Sequence, residues 1–124
     1  MTTKHIGDKG EAIAADHLAE HGYRILEQNY RYERAEVDLV CLGPDEMRPE
    51  LVFVEVKTRS SLDFGAPEDA ITDAKQAHIT RAARAYLYER RLEGVPVRFD
   101  VVSILLNQGA PPTIKHFEDA FWAA

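Results

Sequence analysis

Near the N-terminus, apolar residues fall at Ile6, Ile13, Ala14 and Leu18, a spacing that returns them to one side of a helix over residues 6–21. Gly22 follows as a residue suited to the left-handed backbone that ends a helix. The pattern then changes period. The segments 23–30 and 36–42 read as two strands, separated by the polar run RYERA, with β-branched Val37 and Val40 in the second. Gly43, Pro44, Asp45 and Pro49 mark a turn before a third strand over 51–58. SSLDFGAP is a loop. From Glu68 to Leu92 the chain is rich in alanine, and Ile79, Ala82, Ala83, Tyr86 and Leu87 form an apolar stripe of helical period. Gly94 and Pro96 stop that helix. A fourth strand covers 97–106, and PPTIKHF opens a short fifth. The tail EDAFWAA is expected to dock Phe121 and Trp122 on the body.

The order α-β-β-β-α-β-β predicts an α/β fold, a central mixed sheet flanked by helices. At 124 residues the chain suits one domain spanning 1–124. No apolar run approaches the roughly 20 residues a bilayer crossing needs, and MTTKHIGDKGEA lacks the apolar core of a secretory signal. The single cysteine, Cys41, excludes a disulfide framework and fits a reducing compartment, so the cytoplasm is expected. A net charge of −6 argues against coating nucleic acid through bulk positive charge. It leaves room for a local basic groove, and basic residues do gather at Arg31 and Arg34, at Lys57 and Arg59, and from Lys75 to Arg91.

The third strand, LVFVEVKTR, carries Glu55 and Lys57 in an otherwise apolar run. Two apart, they share a face. If Leu42 faces Leu51 across the turn, Asp38 lands opposite Glu55 and Glu36 opposite Lys57. Facing Cβ atoms lie roughly 4.5–5.5 Å apart. Two opposed carboxylates repel unless a proton or a cation lies between them. Carboxylates at such spacing suit Mg²⁺ or Mn²⁺, with waters and a substrate phosphate completing the shell. A lysine beside that ion can orient water or steady charge on a phosphate. The plainer reading is a cross-strand salt-bridge cluster at a sheet edge.

Asp38 followed by EVK at Glu55–Lys57 resembles the D…(D/E)xK core of restriction-endonuclease-like nucleases. A wider pattern is more specific: GDKGEAIAADHL, GYRILEQNYR, EVDLV, FVEVKTR, FGAPEDAIT, KQAHITRAARAYL, RFDVV and the late AF resemble the YraN (UPF0102) family of bacterial proteins over nearly the whole chain. Ala35 stands where that family has glycine, which removes a positive-φ option before the second strand. The resemblance implies a restriction-endonuclease-like fold, with Asp38 and Glu55 as metal ligands and Lys57 as the catalytic lysine. Glu36 is implied as its helper. Likeness to archaeal junction resolvases implies a further metal ligand, Glu11 on the first helix. Superfamily relatives also imply that Lys75 and Gln76, early in the long helix, support the site or touch the nucleic-acid backbone, with Arg59 as a further nucleic-acid contact.

Other features have plainer readings. HLAEH (His17–His21) fits a zinc-peptidase motif, but the helix ends at Gly22 and no downstream ligand stands out. Cys41 shares a face with Val37 and Leu39 and reads as core. Asp100 is open between a structural hydrogen bond and the site, and Arg81 and Arg84 read as solvated. Phe64, Tyr86 and Trp122 read as packing residues, and no aromatic is placed to stack on bases. The expected function is a Mg²⁺- or Mn²⁺-dependent endonuclease acting on nucleic acid, DNA first and branched DNA among the substrates, with a homodimer as its working form. The alternative is an inactive nuclease-fold module that binds nucleic acid or a DNA-processing partner.

Overall fold

The computed structural model describes residues 3–60 and 71–122. Expectations that fall on 61–70, including the packing of Phe64 and a helix start at Glu68, lie outside them. Helix α1 (Thr3–Glu20) is followed by strands β1 (Arg24–Tyr32), β2 (Ala35–Leu42) and β3 (Leu51–Arg59), then helix α2 (Asp73–Glu89) and strands β4 (Val97–Leu105) and β5 (Thr113–Phe121). This is the expected order. The strands lie side by side in chain order, antiparallel except for the parallel pair β3 and β4. A parallel pair needs a crossover, and α2 supplies it.

The helices cover opposite faces. Ala14, Ala15 and Leu18 of α1 pack with Leu39, Cys41, Val52, Val54, Val102 and Ile104. Ile79, Ala82, Ala83 and Tyr86 of α2 pack with Val40, Leu51, Phe53, Phe99 and Val101. The strand β3 is apolar on both faces because it is central and covered on both sides. Gly10 lets α1 come close to it, since a Cβ on Gly10 would lie 2.7 Å from the Cβ of Thr58. Gly22 ends α1 at φ +88°, the left-handed conformation its position calls for. Thr72 caps α2, its Oγ1 accepting from the Lys75 N–H at 3.1 Å.

Three expectations are corrected. The fifth strand is nine residues long, and EDAF is part of it. Its alternation is masked because the β4–β5 register slips between Phe99 and Val101 and Asp119 takes φ +54°. Phe121 is buried there, but Trp122 is 82% exposed and does not dock. Finally, Val37 does not share a face with Leu39 and Cys41. It packs on the α2 side while they pack on the α1 side, so β2 turns over near Asp38. Ala35 needs no glycine-like backbone, because Glu33 carries the positive φ of the β1–β2 turn.

Candidate functional site

The hairpin of β2 and β3 has the expected register, from Leu42 opposite Leu51 to Leu39 opposite Val54. One step further the ladder stops. Asp38 turns its carboxylate inward, and its Oδ2 accepts the Val56 N–H at 2.7 Å. A side chain thus takes the bond that a backbone carbonyl would take in a continued ladder. The Asp38 carboxyl also hydrogen-bonds the carboxyl of Glu55. That bond requires a proton, since two carboxylates have no donor between them. Burial first, then the hydrogen bond and charge of Glu55, push Asp38 well above the usual carboxylate range.

Glu55 is only 6% exposed. Its Oε2 lies 3.3 Å from the Lys75 ammonium, in the first turn of α2. Lys75 therefore meets the carboxylate pair directly. Gln76 is tied back, its Nε2 donating to the Ile71 carbonyl at 3.2 Å. Lys57 sits half-buried beside Ser103, on the α2 face two residues beyond Glu55, and has no ion pair among the described residues. Arg59 stands at the end of β3 beside Leu105. These positions lie toward the carboxyl end of a parallel strand pair, where open α/β sheets place their ligands. A cleft of about 540 Å³ opens nearby, lined by Ile71, Gln76, Val101 and Phe117 among others.

Glu36 is not opposite Lys57, which corrects the pairing expected from the register. Because the ladder ends at Leu39, Glu36 instead faces β1. It pairs with Arg31 at 3.1 Å, and its Oε1 accepts from the Asn29 amide at 3.0 Å, with that amide oriented so that Nδ2 faces the acids. The same Nδ2 reaches Glu11 Oε1 at 2.7 Å. Glu11 is pushed up to about 7, by burial first and then by the charges of Asp38, Glu36 and Asp8. It stands close enough to feel Asp38 but is not joined to it. Among the described residues no three His, Cys, Asp or Glu side chains gather tightly enough to hold a metal ion. Asp38 and Glu55 meet, while Glu11 stays clasped by Asn29.

Asn29 is the site residue to which the sequence does not point, and Lys75 is expected from the resemblance without its partner Glu55. Asn29 lies in a polar run whose only hint is asparagine's tolerance of φ > 0. Lys75 is separated from Glu55 by a long crossover, so its contact with the carboxylate has no local signature.

A second polar cluster, on the α1 side, is structural. Asp100 is fully buried and accepts from Arg98 through both oxygens at 2.9 Å, from His116 at 2.7 Å and from the Asp119 N–H at 3.0 Å. Burial alone would raise its pKa. The bonds from His116, Arg98 and Asp119 together outweigh that and hold it below the usual range. Arg98 also reaches the Tyr23 hydroxyl, which ties the β1 entry to β4. His17 and His21 stack with centroids 4.2 Å apart, and no third metal-binding side chain joins them among the described residues.

Residues 10–104 match the model of an uncharacterised protein family, UPF0102. The chain is 46% identical to a UPF0102 protein of Trichlorobacter lovleyi over 116 residues, covering 94% of this chain and 89% of the relative. A UPF0102 protein of Chlorobium phaeobacteroides is 42% identical, covering 95% and 94%. One from Bifidobacterium longum is 44% identical, covering 98% and 96%. With three-quarters of its length inside the family model and these relatives matched over most of both chains, the chain belongs to the UPF0102 family.

Proposed function

We propose that this protein is a divalent-cation-dependent nuclease that hydrolyses phosphodiester bonds in nucleic acid. The observation that carries this reading is the carboxyl pair of half-buried Asp38 and buried Glu55, with Lys57 two residues on along the same face. Burying two acids against each other is costly, and a protein that keeps such a pair invites a cation between them. The donor set fits Mg²⁺ or Mn²⁺, which take one or two carboxylates and fill the remaining positions with water and phosphate oxygens. The arrangement also matches the D…(D/E)xK order of restriction-endonuclease-like nucleases.

Asp38 and Glu55 would hold the ion, and Val56 N–H fixes the orientation of Asp38. Bound there, the ion supplies Lewis-acid polarisation of the phosphodiester and an acidified water. Lys57 places its ammonium where charge grows on the phosphate as the bond breaks. Lys75 holds Glu55 in position through its ammonium. Arg59, Lys75 and Gln76 line the approach from which a nucleic-acid backbone would enter. One such site cuts one strand, so cleavage of both strands of a duplex calls for two copies.

One observation favours an inactive binding module instead: Glu11 stands apart from the pair, held by Asn29. Two measurements separate the readings. Mn²⁺ at millimolar concentration is expected to raise the melting temperature of the wild type and to have no effect on Asp38→Asn or Glu55→Gln. Linear, single-stranded, flapped and four-way-junction DNA, and RNA, are then offered with Mg²⁺ or Mn²⁺ beside Lys57→Ala. Cleavage by the wild type and loss in Lys57→Ala supports the enzyme. Metal binding with no cleavage of any substrate supports the module, and no response to metal sinks the site.

A further inference from the structure

The carboxylate pair depends on an irregularity in the neighbouring strand. β1 pairs Gln28 with Leu39 and Tyr30 with Val37, so Asn29 and Asp38 fall opposite each other, yet that pair is missing from the ladder. Asn29 takes φ +52°, a left-handed conformation in mid-strand that asparagine tolerates better than other non-glycine residues. At the same point β2 turns over, with Val37 and Leu39 on opposite faces. The two departures coincide at one cross-strand pair. The turn in β2 frees the Asp38 side chain to reach Val56 N–H and Glu55, while the turn in β1 aims the Asn29 amide at Glu11 Oε1 and Glu36 Oε1, at 2.7 and 3.0 Å.

We infer that Asn29 is the positioning residue of this acidic cluster: its left-handed backbone turns the β1–β2 pair so that Asp38 faces Glu55, and its amide holds Glu11 and Glu36 alongside. The inference rests on the reading of the site as a cation centre. A single amide with two N–H donors, each given to a different carboxylate, is suited to this work because it adds no charge of its own. Residues that orient metal ligands change metal affinity by roughly 10–100-fold when they are removed. Asn29 would act on the ion through Glu11 and Glu36, the two acids its amide holds at the edge of the pair.

Three variants test this. Asn29→Gly keeps access to φ > 0 and loses only the amide. Asn29→Ala loses both, and Glu11→Gln removes the acid that the amide holds. Mn²⁺ affinity is read by electron paramagnetic resonance of the free ion. Asn29→Gly is expected to bind Mn²⁺ at least tenfold more weakly than the wild type, and Asn29→Ala more weakly still. The double variant Asn29→Gly/Glu11→Gln is expected to bind no more weakly than Glu11→Gln alone. Wild-type affinity in Asn29→Gly and Asn29→Ala alike, with binding lost in Asp38→Asn, would overturn the inference and leave the cation centre standing; wild-type affinity in Asn29→Gly alone would overturn the amide clasp. If the wild type itself binds no Mn²⁺, the cation centre fails, and thermal unfolding in chelator decides the clasp. Melting shifts of Asn29→Gly and Glu11→Gln that fail to add support the clasp. Additive shifts overturn it.

Discussion

A buried aspartate and a half-buried one in the same sheet illustrate how surroundings set a residue's part. Asp100 is met by a guanidinium, an imidazole and a backbone N–H, so it stays charged and clamps β4 to β5 and to Tyr23. Asp38 is met by one backbone N–H and another carboxyl, so it keeps a proton. Removing Asp100 leaves a half-buried arginine without its main partner. Asp100→Ala is therefore expected to cost about 3–5 kcal/mol, read as a lower urea midpoint at unchanged slope. The opposite holds at Asp38. Its pKa rises from 3.8 to about 8 on folding, so the folded state binds more protons than the unfolded chain in that window. The contribution of Asp38 to stability then falls as pH rises from about 4 towards 8, because the folded form holds a proton that the unfolded form has released. Asp38→Asn mimics the protonated acid and can still accept from Val56. It should flatten this slope and stabilise the metal-free protein by about 1–2 kcal/mol at pH 8, while abolishing the Mn²⁺ shift. A variant that melts lower than wild type at pH 8 would show that the pair is not strained by charge.

At the scale of elements, the site depends on how closely α1 approaches β3. Gly10 faces Thr58 with no room for a methyl group, and Glu11 follows it directly. Gly10→Ala must push the helix or the threonine aside, at an expected cost of about 1–3 kcal/mol. Thr58→Ala in that background should recover part of the loss, because it removes the hydroxyl and methyl but leaves a Cβ still too close; full additivity of the two changes would mean that they do not touch. The elements themselves were legible in the chain. Helical period gave α1 and α2, and the turn residues Gly43, Pro44 and Pro49 bounded β2 and β3. The hairpin register followed from placing Leu42 against Leu51. The end of that register was not legible, because it depends on Asn29 adopting φ +52° and Asp38 bonding Val56, and neither leaves a mark in hydrophobic pattern. The pairing of Glu36 with Lys57 failed for that reason. β5 was underestimated because its bulge and its charged edge residues Glu118 and Asp119 hide its period. Partners brought by a crossover, such as Lys75 to Glu55, lie beyond any local reading.

At the scale of the whole molecule, the proposed function asks an acidic protein to meet an acidic polymer. With a net charge of −6, long-range attraction would not bring nucleic acid in, and on that proposal contact would fall to the few cations around the carboxylate pair. Three cations stand there, Lys57 and Arg59 at the end of β3 and Lys75 at the start of α2, and they would make those contacts. Each phosphate neutralised releases counterions, so binding weakens with salt in proportion to the number of such contacts. Three contacts predict a slope of roughly −3 for the logarithm of the duplex binding constant against that of salt, far shallower than a protein that coats DNA. The slope should be measured with Ca²⁺ held constant, so that the carboxylates are occupied by a hard oxygen-seeking cation throughout. Arg59→Ala is then expected to reduce its magnitude by about 1 and to weaken all sequences alike, as a phosphate contact does. A much steeper slope, or one that Arg59→Ala and Lys75→Ala leave untouched, would move the binding surface away from this end of the sheet and towards the arginines further along α2.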